Sequence, residues 1–311
     1  MSTPIELVSV NVSEHKGTVK HPVPHAMIDS TGIVGDAHAG HWHRQVSLLG
    51  QEAIDRFAEQ RKVSILPGEF AENLTIWGME TNTVAPLDRF RFGQVELEVA
   101  QIGKECHGEG CAVFQQVGQC VMPAEGIFAR VLCGGPIRPG MSGEYTPRFL
   151  KFLIVTLSDR AAAGMYEDRS GPRVRQLLER WLAGKRWHPQ FESLILPDDA
   201  DRLRNQLINA LDGGVDVIFT TGGTGVGPRD IAPETAAAVC DRLIPGIMEN
   251  IRLKFGATHP NALLSRAIAG VAGTTQVYTL PGSVRGVEEY LGELLKTLEH
   301  LIYMIHGVDV H

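Results

Sequence analysis

A loop rich in glycine and threonine, lying between a largely apolar run and a proline, constrains the fold of this chain more than any other feature. Residues 220–230 contain four glycines and three threonines and directly follow the run 215–219. That run has the length and composition of a buried β-strand. Pro233 is suited to the first turn of a helix. Because open α/β sheets bind ligands where strands end and helices begin, the loop predicts a binding site.

Several features of this loop favour a phosphate group as the ligand. Glycine has no Cβ atom, so its backbone N–H group can approach an anion closely. Arg229 offers a cationic partner for phosphate, and Asp230 offers a carboxylate suited to Mg²⁺. A flexible surface turn is the alternative, which the density of glycine, threonine and charge disfavours. The loop lacks the lysine of a P-loop, and Pro228, three residues after Gly225, breaks the dinucleotide-binding spacing.

Two aspartates stand directly after strands in this pattern. Asp198 follows a strand predicted at 191–196, and Asp230 ends the glycine loop. We expect the sheet to bring both carboxylates to one edge, where they would hold Mg²⁺ beside the loop. Taken singly, each aspartate is also a common helix N-cap.

The loop and several other stretches resemble the molybdopterin adenylyltransferase family, whose members activate molybdopterin with ATP before molybdenum is inserted. The resemblance covers roughly the second half of the chain, in the order of the family. The matching stretches are residues 158–172, 196–199, 220–230, 264–267 and 280–283.

This resemblance implies an enzyme that adenylylates molybdopterin with Mg-ATP and releases pyrophosphate. It implies that Asp198 and Asp230 are the essential acidic residues and the Mg²⁺ ligands, and that the second domain forms a homo-oligomer, a trimer. A turn role for Ser158 and a helix-cap role for Ser265 remain as alternatives. The implied substrate-binding residues are Ser158, Asp168, Ser170, Gly222, Gly223, Thr224, Gly225, Ser265, Gly282 and Ser283.

The first half contains a cysteine in an unusual setting. Cys106 follows a predicted strand, enters a glycine-rich loop and lies beside Lys104 and His107. Positive neighbours lower the pKa of a thiol, so Cys106 is a candidate nucleophile, sulfur carrier or soft-metal ligand. A structural thiol in a tight turn is the alternative. A zinc site that adds Cys111 is disfavoured, because its spacing is wider than the usual two-residue gap.

A histidine-rich segment precedes this cysteine. The spacing of His38, His41 and His43 does not match the pattern that places two zinc ligands on one helix face. A loop lining an anionic ligand site is favoured, with Arg44 as the best candidate for a ligand contact. An ordinary solvated loop is the alternative for the histidines.

Together, short stretches of this half resemble the MOSC domain, which is named after the C-terminal part of molybdenum cofactor sulfurase. The resemblance implies a β-barrel that binds a molybdenum cofactor or a related sulfur-bearing group through one cysteine. Family members often have proline before that cysteine, whereas this chain has Glu105. Whether Cys106 carries a persulfide, ligates molybdenum or does neither therefore stays open. The matching stretches are 35–36, 44–48, 67–69, 72–74, 106–107 and 122–126.

The length of 311 residues predicts two domains. We place them at 1–145 and 146–311, with a linker at 141–148. The first is expected to be mainly β, a MOSC-like β-barrel. The second alternates strands and helices, which predicts an α/β fold with a mostly parallel sheet and helices on both faces. A single long helix is predicted at 284–305.

Composition limits the partners of this chain. The formal charge of −7 argues against a broad nucleic-acid-binding surface. No apolar run approaches the ~20 residues that span a bilayer, and the N-terminus lacks a signal-peptide pattern, so a cytoplasmic protein without membrane partners is expected. The five cysteines, an odd number, disfavour a complete disulfide framework.

Two other functions compete with the enzyme hypothesis. One is a molybdopterin or molybdenum cofactor carrier, or a scaffold, without turnover. The other is a molybdenum-dependent reductase of N-hydroxylated compounds, an activity of some MOSC proteins.

Overall fold

The computed structural model describes residues 2–104 and 120–308. The chain divides into two compact units. Unit 1 comprises 1–148, 186–188 and 308–311, and unit 2 comprises 149–185 and 189–307. No helix within the described part of the chain has the length and apolar character needed to cross a bilayer.

Unit 1 is built around a closed barrel of seven strands. The strands of unit 1 are β1 (Thr3–Val12), β2 (His21–Pro22), β3 (Ala26–Asp29), β4 (Gly32–Ile33), β5 (Val46–Gly50), β6 (Leu74–Trp77), β7 (Arg89–Phe92), β8 (Val95–Ile102), β9 (Ile127–Cys133), β10 (Gly135–Ile137) and β11 (Ser142–Thr146). The barrel strands follow the order β11-β7-β8-β9-β5-β6-β1, and pairing of β11 with β1 closes the ring. The β5–β6 pair is parallel.

Alternation of apolar and polar residues directs side chains into this barrel. In β7, Phe90 and Phe92 are buried while Arg89 and Arg91 are exposed, as expected for a strand with one face on the core. The β7–β8 hairpin predicted from the sequence forms with Phe92 opposite Val95.

A helix and a second apolar cluster complete unit 1. Helix α1 (Gln51–Arg61) buries Ile54 and Phe57, and Phe57 meets Phe70 edge-to-face with ring centroids 5.2 Å apart. The cluster also contains Phe128 and a residue of the short helix α2 (Met122–Glu125). A 3-10 turn covers Thr81–Thr83.

The linker predicted at 141–148 is wrong. Strand β11 occupies most of this segment and hydrogen-bonds to both β1 and β7. Glycine and proline in the segment indicated a linker, but pairing on both sides makes this strand the closure of the barrel.

Unit 2 is an α/β unit with one six-stranded sheet. Its strands are β12 (Phe149–Leu157), β13 (His188–Leu196), β14 (Val217–Thr221), β15 (Arg242–Leu243), β16 (Ala269–Ala272) and β17 (Thr275–Leu280). They lie in the order β13-β12-β14-β17-β16-β15. Its helices are α3 (Asp159–Ala162), α4 (Ser170–Leu182), α5 (Ala200–Asp212), α6 (Ala232–Ala237), α7 (Pro245–Gly256), α8 (Val284–Leu294) and α9 (Leu298–Ile305), with a 3-10 turn at Pro260–Leu264.

The sheet is mixed, which corrects the prediction of a mostly parallel sheet. The β12–β14 and β14–β17 pairs are parallel, whereas the β17–β16 and β16–β15 pairs are antiparallel. A two-residue turn links β16 to β17, a connection too short for the crossover that parallel neighbours require. Sequence periodicity alone does not reveal that this pair forms a hairpin.

Helices pack on both faces of the sheet, as predicted. Leu153, Ile218 and Val277 lie side by side on three strands and pack in one core cluster with residues of α5 and α6. Residues that alternate with them face the opposite way, and Thr156 there contacts the start of α4. The parallel strands therefore direct their carboxyl ends, and the loops that follow, to one edge.

The long final helix predicted at 284–305 is interrupted. Helix α8 ends at Leu294 and α9 begins at Leu298. Between them, Lys296 and Thr297 donate backbone hydrogen bonds to residues only three positions earlier. The Thr297 hydroxyl also donates to Leu294 O at 3.3 Å, so it competes for a helical carbonyl and favours the break.

Candidate active site

The glycine loop turns sharply at the carboxyl end of β14. Gly222 and Gly223 have φ of +101° and +63°, a region that favours glycine. A methyl group at position 222 would lie 2.4 Å from Leu157 O, so the loop passes against the end of β12 only with glycine there. The Gly222 N–H donates to Leu280 O at 3.0 Å, which ties the loop to β17.

The carboxylate of Asp230 lies against the same loop. Asp230 Oδ2 accepts a hydrogen bond from the Gly227 N–H at 2.8 Å, and the Asp230 N–H donates to Gly227 O at 3.0 Å. These two bonds close a tight turn that fixes the aspartate side chain beneath the loop.

Asp198 and Asp230, which follow different strands, are electrostatically coupled. Burial raises the pKa of Asp198, and the negative charge of Asp230 raises it further. Two carboxylates that repel each other in this way form a site that a cation would stabilise. Two carboxylates are a donor set that fits Mg²⁺, which is commonly held by one or two carboxylates together with substrate phosphates.

Asp168 organises the start of α4. Its Oδ1 accepts hydrogen bonds from the Ser170 hydroxyl at 2.9 Å and from the Gly171 N–H at 3.1 Å, and its Oδ2 accepts from the Thr156 hydroxyl at 2.6 Å. A methyl group at position 171 would lie 2.5 Å from both the Thr156 hydroxyl and Asp168 Oδ2. An open groove of about 580 Å³ lies here, lined by Asp168, Arg173 and Val284 among others.

Two serines predicted to contact substrate cap helices. Ser158 Oγ accepts from the Ala161 N–H at 3.2 Å, and Ser283 Oγ accepts from the Gly286 N–H at 3.1 Å. Beside Ser283, Gly282 approaches the glycine loop so closely that a methyl group on it would lie 3.2 Å from Gly222 Cα. Their positions follow the ends of β12 and β17, beside the loop.

Unit 1 has a cavity of about 210 Å³, and Arg44, the predicted ligand contact, is among the residues that line it. The Arg44 guanidinium lies 4.7 Å from the Trp42 ring centroid and 5.9 Å from that of Phe128. Its buried Nε has no hydrogen-bond partner among the described residues. Lys16 and Lys104 also line the cavity, so cationic groups surround a space bounded by aromatic rings.

A buried ion pair supports one wall of this cavity. Lys20, only 2% exposed, donates from Nζ to Asp36 Oδ2 at 2.5 Å. Lys20 Nζ also lies 3.3 Å from Nδ1 of His38, a residue that lines the cavity. Although burial opposes its charged form, hydrogen bonds from His38 and Lys20 hold the pKa of Asp36 well below its usual range.

Glu72 and Asn73 orient neighbouring backbone in unit 1. Glu72 Oε1 accepts from the Gly68 N–H at 2.5 Å and from the Thr75 hydroxyl at 2.9 Å. Burial raises the pKa of Glu72, whose Oε2 has no partner among the described residues. Asn73 Oδ1 accepts from the backbone N–H and the hydroxyl of Ser47.

Comparison with known proteins assigns both units. A family described as a probable molybdopterin binding domain matches residues 153–300, and the MOSC domain family matches residues 35–142. A molybdopterin adenylyltransferase of Helicobacter pylori (strain J99 / ATCC 700824) is 33% identical over 155 residues, which are 50% of this chain and 86% of that relative. The chain belongs to the molybdopterin adenylyltransferase family. Its first part is a MOSC domain, so the fusion predicted from the sequence is confirmed.

Two further proteins are similar to part of this chain. A molybdenum cofactor biosynthesis bifunctional protein of Chlorobaculum tepidum is 36% identical over 168 residues, which are 53% of this chain and 51% of that protein. A solved structure described as the anomalous substructure of MogA is 39% identical, with a TM-score of 0.46, and covers 50% of this chain and 99% of that chain.

Sequence reasoning missed one residue that holds the glycine loop of this family member. Arg266 donates from Nε to Gly225 O at 2.5 Å and from Nη2 to Asp230 O at 2.7 Å, and it forms an ion pair with Glu234. Its own N–H donates to Thr224 O at 2.9 Å. Arg266 lies 41 positions after Gly225, and a long-range contact of this kind leaves no periodic signal.

Ser265, the neighbour of Arg266, lies apart from these carbonyl contacts. Together with Arg252 it lines a cavity of about 330 Å³, and its hydroxyl accepts from the Ala267 N–H at 3.4 Å.

Cys106 lies outside the described residues, together with His107 and Cys111. The described residues that flank the segment, Lys104 and Cys120, both line the unit 1 cavity.

Proposed function

We propose that the second domain, predicted at 146–311, transfers an adenylyl group from ATP to molybdopterin and releases pyrophosphate. The observation that carries this proposal is the coupling of the Asp198 and Asp230 carboxylates beside the glycine loop. Membership in a family whose relatives are named molybdopterin adenylyltransferase supports the same activity.

The reaction is a displacement at phosphorus. A terminal phosphate oxygen of molybdopterin forms a bond to the α-phosphorus of ATP, the bond from that phosphorus to the bridging oxygen breaks, and pyrophosphate leaves. Alignment of the two substrates and neutralisation of the phosphate charge are the main requirements for such a transfer. The protein therefore needs rigid positioning groups rather than a covalent nucleophile.

Asp198 and Asp230 are the residues that would hold Mg²⁺. Bound there, the cation would neutralise phosphate charge during the transfer. The backbone N–H groups of Gly222, Gly223 and Gly225 would bind the polyphosphate, and the Asp230 contact with Gly227 keeps the loop and the carboxylate in register.

The pterin and its phosphate would occupy the groove beside α4 and the start of α8. Ser158, Asp168, Ser170, Thr224, Gly282 and Ser283 are the residues that we propose to line or shape this region. Ser265 is proposed to contact the substrate from the cavity that it lines with Arg252. The N-terminus of α8, capped by Ser283, favours an anion because of its unpaired N–H groups.

A direct test incubates the full chain with molybdopterin, ATP and Mg²⁺ and identifies the product by mass spectrometry while pyrophosphate is measured. Asp230→Ala should keep molybdopterin binding but lose the adenylylated product. Asp201→Ala, in the first turn of α5, is a control that removes an exposed carboxylate and should react normally. Undiminished turnover by the Asp230 variant would refute the assignment, and binding of molybdopterin without pyrophosphate release would favour a carrier or scaffold.

For the first domain, predicted at 1–145, we propose a role in binding, sulfurating or passing on the maturing cofactor. Arg44, with its unpartnered Nε between aromatic rings, would bind an anionic group in the cavity. Cys106 would carry sulfur as a persulfide or ligate molybdenum.

The Arg44 assignment is tested by binding of molybdopterin to the Asp230→Ala chain, with or without a second change at Arg44. Arg44→Lys keeps the charge but loses the planar stack, so we expect it to restore only part of the binding that Arg44→Ala loses. If Asp230→Ala alone, with Arg44→Lys and with Arg44→Ala all bound molybdopterin equally well, a role for Arg44 would be contradicted.

The role of Cys106 is tested with Cys106→Ser. This variant should lose sulfur transfer while adenylylation stays intact, and loss of both would argue for a structural thiol. Molybdenum that remains stoichiometrically bound through purification would favour the reductase hypothesis instead.

We further propose that the protein is a homo-oligomer, a trimer assembled through the second domain. Light scattering coupled to size-exclusion chromatography would measure the mass, and a monomeric mass would refute this proposal.

A further inference from the structure

Asp159, which has no assigned role, contacts the proposed catalytic carboxylate through a reciprocal pair of hydrogen bonds. The Asp159 N–H donates to Asp198 Oδ2 at 3.3 Å, and the Asp198 N–H donates to Asp159 Oδ1 at 3.0 Å. Each aspartate therefore fixes the backbone of the other. The two loops that follow β12 and β13 are joined at this point.

The second oxygen of Asp159 has a different partner. Asp159 Oδ2 forms an ion pair with Arg229, which belongs to the glycine loop. The Arg229 side chain is about two-thirds exposed, so it can move without disturbing the core. Asp159 thus connects Asp198 on one side with an exposed cation of the loop on the other.

Charge balance gives this ion pair a consequence for nucleotide binding. Asp198 and Asp230 already repel each other, and an incoming triphosphate adds further negative charge to the same edge of the sheet. Arg229 is well suited to bind phosphate, but its guanidinium group already pairs with the Asp159 carboxylate. Nucleotide binding therefore competes with this ion pair for the same guanidinium group.

We propose that Asp159 is a positioning residue with two separable tasks. Through Oδ1 it holds the Asp198 backbone, and through Oδ2 it keeps Arg229 away from the site until the triphosphate of the nucleotide takes Arg229 over. This inference rests on the proposed adenylyl transfer, and it adds a partner exchange that regulates the affinity for ATP.

Calorimetric titration of the full chain with ATP tests the exchange. Asp159→Asn removes the charge but keeps an acceptor oxygen, so Arg229 is released and ATP should bind on the order of threefold more tightly, as expected for loss of an exposed ion pair. Arg229→Gln should weaken binding. In the Arg229→Gln background, the Asp159→Asn substitution should change ATP affinity no further.

Asp199→Asn is the matched control, since Asp199 is a neighbouring carboxylate that caps α5 through an acceptor oxygen. It should leave ATP affinity unchanged. The proposed exchange would be overturned if Asp159→Asn bound ATP more weakly than the unchanged protein. It would also be overturned if ATP affinity rose as much when Asp159→Asn is made in the Arg229→Gln background, or when Asp199→Asn is made alone.

The positioning task is tested by turnover. Asp159→Ala removes the acceptor for the Asp198 N–H and should lower kcat on the order of tenfold, whereas Asp159→Asn should lower it less. Equal kcat values for the two variants would overturn this task. If the unchanged protein releases no pyrophosphate, the proposed function fails, and the ATP titrations still decide whether Asp159 and ATP compete for Arg229.

Discussion

The carboxylate of Asp230 occupies the space that a side chain at Gly225 would need. A methyl group at position 225 would lie 2.7 Å from Asp230 Oδ2. Because Gly225 does not have a positive φ, alanine is compatible with the backbone itself. The substitution Gly225→Ala should therefore displace the end of the aspartate side chain and leave the loop folded.

We expect Gly225→Ala to lower the rate of pyrophosphate release on the order of a hundredfold, because the displaced Asp230 carboxylate would no longer act together with Asp198. The unfolding temperature should stay close to that of the unchanged protein. Gly292→Ala is the control, since a methyl group added at this helical position would have no atom of another part of the protein within 4 Å. Alanine there should react normally and stabilise α8 by up to ~1 kcal/mol. Normal turnover by the Gly225 variant would show that the Asp230 position is unimportant.

The raised pKa of Asp198 predicts a dependence on pH. Burial and the Asp230 charge favour the protonated form of Asp198, so cation binding should weaken as pH falls through a range above that of an ordinary aspartate. For the same reason the Asp198 contribution to folding stability decreases as pH rises through that range. Carboxyl carbon shifts measured by NMR during a pH titration would report the pKa directly. In Asp230→Asn the Asp198 pKa should fall, and an unchanged value would show that the two carboxylates do not interact.

The glycine loop of unit 2, the strand before it and the helix after it could be predicted because their signals are local. The glycine loop follows an apolar strand and precedes Pro233, and these short-range features agree with one another. The mixed sheet could not be predicted because no strand was predicted at β16, which pairs antiparallel with β17. Strand direction depends on connections that composition does not show.

The contacts that complete the candidate site could not be predicted for a related reason. Asp159 meets Asp198 across 39 positions, and both residues also fit local explanations as helix-start residues. The aspartates were found because each follows a strand, whereas the bonds between them depend on how two loops fold together. Likewise, glycine and proline in 141–148 indicated a linker, and only pairing with distant strands makes this segment part of the barrel.

The buried carboxyl group of Glu72 predicts a pH-dependent stability for unit 1. Its pKa is raised by burial, so the folded state binds a proton more readily than the unfolded state. Stability should therefore fall as pH rises above the ordinary glutamate range, by up to about 1.4 kcal/mol per pH unit until Glu72 is ionised. Glu72→Gln keeps an acceptor for Gly68 and Thr75 but has no charge, so this dependence should disappear.

Hydrogen exchange of the β1 and β6 amides at several pH values would measure the effect of Glu72→Gln. A matched control is Glu80→Gln, an exposed carboxylate in an ion pair with Arg56, which should leave the pH dependence in place. Parallel pH profiles for the unchanged protein and Glu72→Gln would mean that Glu72 is ionised in the folded state at no cost.

The ion pair between Lys20 and Asp36 should contribute far more to the stability of unit 1 than ion pairs at the surface. Removing one partner leaves an uncompensated buried charge, so Lys20→Met should lower the free energy of unfolding by about 3–5 kcal/mol. Arg89→Met on β7 breaks exposed ion pairs with Glu96 and Glu98 on β8, and Glu98 keeps Arg130 as a partner, so this change should cost about 1 kcal/mol or less. Hydrogen exchange of the barrel amides would measure both.

The same ion pair offers a rescue experiment. Asp36→Asn keeps an acceptor for the backbone N–H groups of Ser13 and His38 but removes the charge that Lys20→Met leaves unpaired. The double variant should therefore recover part of the stability lost by Lys20→Met alone, because the cost comes from the isolated carboxylate rather than from lost packing. If the double variant is as unstable as the sum of the two single variants, packing of the Lys20 side chain, and not its charge, holds this wall of the cavity.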